Sequence, residues 1–204
     1  MTDRGVVRRL AAIMVADAVG YSRWMEADEL ATHRQFKLDL SQMFLPMVEA
    51  YRGRLVKTTG DGLFVEFGSV VDAARCAAEV QTKFRARDAA IPTGRRLLYR
   101  IGINVGDIIV EDNDIYGEDV NTAARLEAMA PPGSIAISAN VVRSLRGKLD
   151  LDLEDMGDQP IKGTDDPVRV YRVRIAPHET GDERAPSRAA ARKDPVLLKT
   201  AAAV

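Results

Sequence analysis

The chain has 204 residues, 46% of them hydrophobic and 29% charged, with a formal net charge of −1. That suffices for one domain with a single buried core, and the near-neutral balance excludes a general pull toward nucleic acid or an anionic membrane surface. A lone cysteine, Cys76, excludes an intrachain disulfide, and His33 and His178 alone argue against a zinc site built on His/Cys clusters.

In chain order, Arg4, Arg8 and Arg9 precede an apolar run from Leu10 to Ala16. The run resembles the start of a signal peptide only until Asp17 closes it, so it reads as a strand buried on both faces. No apolar run is long enough to span a bilayer. Residues 28–51 have helical spacing, with Asp28 as a cap and Pro46 as a warning of a kink or break. Arg54 to Lys57 and Leu63 to Phe67 read as strands joined by Gly60-Asp61-Gly62, because an Asp-Gly pair between apolar runs signals a hairpin. Residues 70–88 read as a helix.

Leu97 to Val105 and Ile108 to Val110 are strand-like, with a break at Gly106-Asp107. Residues 118–130 form a helix stopped by Ala-Pro-Pro-Gly. Ile135 to Ser138 is a strand, 140–146 a short helix, and 149–155 and 168–174 the last strands. The order β-α-β-β-α-β, then α-β-α-β-β, predicts a mixed sheet with helices packed on it. The expected domain covers 1–175. From about Ala176 the composition turns to Ala, Arg, Asp and Pro, and 176–204 reads as a flexible tail or linker.

Three segments carry the chemistry. Asp17 ends a buried strand, and a buried carboxylate aimed at nothing is costly. Asp61 sits at a hairpin tip. Two carboxylates facing one gap make a hard oxygen site suited to Mg²⁺ or Mn²⁺. Taken singly, an Asp-Gly tip is usually a turn, and an Asp after a strand is often a helix cap. In the third segment, Asn121 and Arg125 lie four apart and share a helical face.

Together, Asp17-Ala-Val-Gly-Tyr-Ser, Lys57-Thr-Thr-Gly-Asp61, Arg100-Ile-Gly-Ile-Asn, Asp114-Ile-Tyr-Gly through Asn121-Thr-Ala-Ala-Arg125, and Ile161-Lys162-Gly resemble the class III adenylate/guanylate cyclase catalytic domain, bacterial members above all. They stand in the family's order and cover about residues 8–174. The resemblance implies an α+β fold with a ferredoxin-like βαββαβ core, a mixed or antiparallel sheet and flanking helices. It implies cyclisation of ATP to cyclic AMP and pyrophosphate with two divalent metal ions. By position, Asp17, Asp61 and the carbonyl of Ala18 match the metal ligands. Lys57 and Asp114 match the pair that reads adenine, and they argue against guanine. Asn121 matches the residue that orients the ribose, Arg125 the one that stabilises the transition state, and Arg100 and Lys162 the cations on the triphosphate.

Asp112 and Asp119 are rival carboxylates, and the spacing to Asn121 favours Asp114. No side chain stands out as general base. The resemblance further implies a head-to-tail homodimer whose two active sites are shared between subunits, and cytoplasmic localisation follows from the ATP substrate. The alternatives are a nucleotide-sensing or dimerisation module that kept the fold, a guanylate cyclase, or another phosphoryl-transfer enzyme on a ferredoxin-like topology. The chain lacks the Gly-x-x-x-x-Gly-Lys-Ser/Thr of a P-loop NTPase.

Overall fold

A computed structural model describes residues 6–90, 96–161 and 166–175. Lys162 and the expected tail over 176–204 lie outside the described residues. Strand β1 (Val7–Ala18) is central, and its period of two sorts its side chains between two faces. Ala12, Met14, Ala16 and Ala18 enter the larger apolar core, while Ala11, Ile13 and Val15 enter a second one. A strand covered on both faces needs the continuous apolar run that the sequence supplies.

After β1 come helices α1 (Tyr21–Ala27), α2 (Glu29–Asp39) and α3 (Leu45–Ala50), then strands β2 (Gly53–Thr59) and β3 (Gly62–Phe67). Helix α4 (Val70–Ala89) leads to β4 (Tyr99–Glu111), β5 (Asp114–Tyr116) and helix α5 (Glu118–Met129). Strand β6 (Ile135–Ser138), helix α6 (Ala139–Leu145), β7 (Asp152–Gln159) and β8 (Val168–Arg174) complete the described chain. The sheet runs β2-β3-β1-β4-β6-β8-β7, with β5 paired to β4. Among the described residues, only the β4–β6 pair is parallel. The first four strands lie in the order β2-β3-β1-β4, with helices between β1 and β2 and between β3 and β4 and a tight turn between β2 and β3, which is the ferredoxin-like α+β arrangement the sequence predicts.

The predicted helix over 28–51 is interrupted. A π-helical turn over Leu40–Phe44 separates α2 from α3, and Pro46 lies at the start of α3. Proline has no N–H to donate and its ring crowds the preceding turn, so the wider turn comes where a regular ladder would fail. Two elements, α1 and β5, went unread in the sequence, and β7 lies further along the chain than the predicted 149–155 strand. The predicted break at Gly106-Asp107 is absent, because β4 is continuous there. A Cβ on Gly106 would sit 2.0 Å from the Asp119 carboxyl carbon, so this glycine admits a side chain from α5. Among the described residues, no helix is long and apolar enough to cross a membrane.

Candidate active site

Two clusters form on the β1 face that α5 covers. In the first, Asp17 stands opposite Gly62 of β3 on one side and Arg100 of β4 on the other. The turn before β3 brings Asp61 alongside, where the Ala18 N–H donates to the Asp61 carbonyl at 3.3 Å. Burial pushes the Asp61 carboxyl above its ordinary range, and the neighbouring Asp17 carboxylate adds to the shift. Arg100 offsets part of this charge, with Nη2 donating to Asp17 Oδ2 at 2.9 Å. Its Nε lies 2.9 Å from Oε1 of Glu127 on α5, in ion-pair contact but without hydrogen-bond geometry.

Glu127 is buried, and burial pushes its carboxyl up to about 7, with Arg100 pulling down and Asp17 pushing up. The sequence reading missed this residue. Its signal was a carboxylate seven residues after Val120 and four after Ala123, on the helix face that packs inward.

The first cluster fits a divalent cation. Two adjacent carboxylates repel one another, and the protein places its own cation, Arg100, against one of them. Among the described residues, no group of three or more His, Cys, Asp or Glu side chains comes together. The donor set is therefore this carboxylate pair with backbone oxygen, which suits a hard ion that keeps water ligands.

The second cluster depends on an irregularity. Between Leu55 and Lys57 the β2–β3 register shifts, so Leu55 pairs with Val65 but Lys57 pairs with Phe64. Val65 belongs to the larger core and Phe64 packs against the second, so the bulge carries Lys57 to the opposite face from Leu55. There Lys57 meets Asp114. Asp112 and Asn113, both at positive φ, form the two-residue turn between β4 and β5 and bring Asp114 back opposite Glu111. Lys57 Nζ lies 2.8 Å from Asp114 Oδ1 and 2.9 Å from Oδ2, and the Ile115 N–H donates to Oδ1 at 2.7 Å. Arg54 Nη1 donates to the Asn113 carbonyl at 2.9 Å, tying β2 to that turn.

The other nearby carboxylates are engaged elsewhere: Asp112 is in the turn, and Asp119 accepts from Asn104 Nδ2 at 2.9 Å. Lys57, Phe64, Tyr116 and Asn121 line a cleft of about 630 Å³ whose lining includes neither Asp17 nor Asp61, and neither Asp114 nor Arg125. Arg125 lies one helical turn after Asn121, and its Nη1 is buried with no hydrogen-bond partner among the described residues. A guanidinium N–H without an acceptor is unusual enough to suggest that an anion completes the site. A separate cleft of about 510 Å³, lined by Asn104, Ser138, Arg143 and Arg169 among others, gathers none of the predicted residues.

Comparison with known proteins places the chain in a family. The sequence profile described as "Adenylate and Guanylate cyclase catalytic domain" matches residues 9–174. The protein named "Putative adenylate cyclase 3" of Rhizobium meliloti (strain 1021) is 44% identical over 171 residues, covering 84% of this chain and 29% of that protein. The chain thus spans less than a third of that relative. A crystal structure titled adenylate/guanylate cyclase/hydrolase, from Silicibacter pomeroyi, superposes with a TM-score of 0.79 at 41% identity, covering 83% of this chain and 98% of that one. The adenylyl cyclase CyaB from P. aeruginosa superposes at 0.74 with 24% identity, covering 87% and 100%, and speaks for the fold alone.

Proposed function

Because the chain belongs to the adenylate and guanylate cyclase catalytic domain family, we propose that it is an adenylate cyclase converting ATP to 3′,5′-cyclic AMP and pyrophosphate. The family's name covers both nucleotides, so the choice of base rests on the Lys57–Asp114 pair. Adenine presents an amino donor beside a ring-nitrogen acceptor. A carboxylate 2.8 Å from an ammonium offers the complement, an acceptor beside a donor. This pair is the observation that carries the reading.

The reaction is in-line attack of the ribose 3′-oxygen on the α-phosphorus, with pyrophosphate leaving. Two divalent cations, Mg²⁺ or Mn²⁺, held by Asp17, Asp61 and the Ala18 carbonyl, would lower the pKa of the 3′-hydroxyl and neutralise phosphate charge. Asn121 orients the ribose. Arg125 donates to the phosphoryl oxygens where charge develops, and its unpartnered Nη1 supports that role. Arg100 and Lys162 meet the triphosphate, for which Arg100 exchanges its contact with Asp17.

The cleft around Lys57 and Asn121 excludes the carboxylate pair. This supports a head-to-tail homodimer in which one subunit's carboxylates complete the partner's nucleotide cleft. The product is a second messenger for intracellular signalling. The test is cyclic nucleotide formation by the purified chain with Mn²⁺, given ATP or GTP, beside an Asp61→Ala control. Cyclic AMP that disappears in the control is the expected result. A dimer that cyclises neither nucleotide would overturn the reading in favour of a nucleotide-sensing module.

A further inference from the structure

We propose that Tyr116 is a specificity-determining residue: its ring, with that of Phe64, holds Lys57 against Asp114 in one orientation, and so enforces the choice of purine. The inference rests on the adenylate cyclase reading and deepens it. Asp114 and Tyr116 are two apart on β5 and point to the same face, while Ile115 between them is buried. Lys57 Nζ lies 5.6 Å from the Tyr116 ring centroid and 5.4 Å from that of Phe64, its cross-strand partner. The ammonium is thus held between two aromatic rings. Asp114 accepts from Lys57 at 2.9 Å and from the Ile115 N–H at 2.7 Å, so its carboxylate is tied to its own strand and to the ammonium. The Tyr116 ring therefore restrains the lysine directly and the carboxylate through it.

The restraint matters because of the order of groups on the base. Along the edge from position 6 to position 1, adenine presents donor then acceptor, and guanine presents acceptor then donor. A Lys ammonium has three rotatable donors on a flexible stem, and an Asp carboxylate turns about its last bond. Unrestrained, such a pair could exchange places and accept either order. With Lys57 caged by Phe64 and Tyr116, and the carboxylate held by the Ile115 N–H and the ammonium, only one order remains. Tyr116 is 47% exposed at the rim of the nucleotide cleft, an unusual amount for so large a ring. It carries little of the core, so its replacement spares the fold.

The experiment uses the full chain with Mn²⁺ and measures kcat and KM for ATP and for GTP in the wild type, Tyr116→Phe and Tyr116→Leu, with thermal unfolding as a control. Tyr116→Phe keeps the ring and loses the hydroxyl. It should retain the ATP-over-GTP ratio of kcat/KM, because the ring still faces Lys57. Tyr116→Leu loses the ring, and its ratio should fall by roughly fivefold, the worth of one cation–π contact, with the change lying in KM more than in kcat. A wild type that prefers ATP, with a ratio that survives Tyr116→Leu or that Tyr116→Phe lowers as much, overturns the inference and leaves the adenylate cyclase reading intact. A wild type with no preference for ATP overturns both.

Discussion

Asp17 and Arg100 are register partners across the β1–β4 ladder, and their side chains are joined by a 2.9 Å ion pair, each about a quarter exposed. The guanidinium therefore occupies charge-balancing ground that a divalent cation would claim. Removing it should have opposite effects on the two ligands. Arg100→Ala leaves Asp17 and Asp61 with more uncompensated negative charge, so Mn²⁺ should bind the variant more tightly in calorimetry without nucleotide. The KM for ATP should rise by roughly tenfold, because a triphosphate contact is lost. Weaker Mn²⁺ binding would show that Arg100 organises the carboxylates and does not compete for them.

Glu127 gives the pH dependence. Its carboxyl is pushed up to about 7, chiefly by burial. A carboxyl that holds its proton longer in the folded chain than in the unfolded one contributes stability at low pH. That contribution is fully present below the ordinary glutamate range and is lost as pH rises through about 7. At about 1.4 kcal/mol per pKa unit, the loss is on the order of 3 kcal/mol. Denaturant unfolding of the metal-free chain should show stability declining between about pH 5 and 7, and Glu127→Gln should flatten that decline. An unchanged slope in the variant would assign the titration to another group, such as Asp39 or Asp61, whose carboxyls burial also raises.

Two glycines of β4 should respond differently to a methyl group. At Gly102 a Cβ would lie 2.2 Å from the Glu127 backbone nitrogen and 2.3 Å from the Ala123 carbonyl oxygen. Backbone cannot swing away, so Gly102→Ala must push α5 off the sheet. It should lower stability by about 3 kcal/mol and reduce kcat, because α5 carries Asn121 and Arg125. At Gly106 the obstacle is the Asp119 side chain. Gly106→Ala forces that carboxylate out of its 2.9 Å hydrogen bond with Asn104, at a cost of about 1–2 kcal/mol. Equal losses from both variants, by chemical denaturation, would contradict this ordering.

What the sequence disclosed, and what it hid, follows from the same physics. Apolar alternation and turn residues act locally, so β1, the β2–β3 hairpin, α4, α5 and the stop at Ala-Pro-Pro-Gly were all legible. The π-helical turn near Pro46 was signalled only as a warning, because how a helix absorbs a proline depends on what packs against it. Gly106 looked like a strand breaker. Its reason lies on α5, thirteen residues further along the chain and invisible to a local reading. The site divides in the same way. Asp17, Asp61, Lys57, Asp114, Asn121 and Arg125 stood in recognisable motifs. The bulge that turns Lys57 toward Asp114 is a property of strand register, and the Arg100–Glu127 contact joins β4 to α5 through space. Neither leaves a mark in the linear spacing.

The separation of the two clusters sets the last prediction. Asp17 and Asp61 stand outside the cleft that Lys57 and Asn121 line, so a chain that works alone would have to bring both groups to one nucleotide. If each active site takes its carboxylates from one subunit and its Arg125 from the other, Asp17→Ala and Arg125→Ala should each be inactive as homodimers. When the two are mixed, each heterodimer contains one site with both defects and one with neither. Random exchange makes half of the dimers heterodimers, each with one of two sites intact, so activity should recover to about a quarter of wild type. Recovery should depend on protein concentration, because it requires subunits to exchange. A mixture no more active than its parents, with exchange verified by differently tagged chains, would place each complete site within a single subunit.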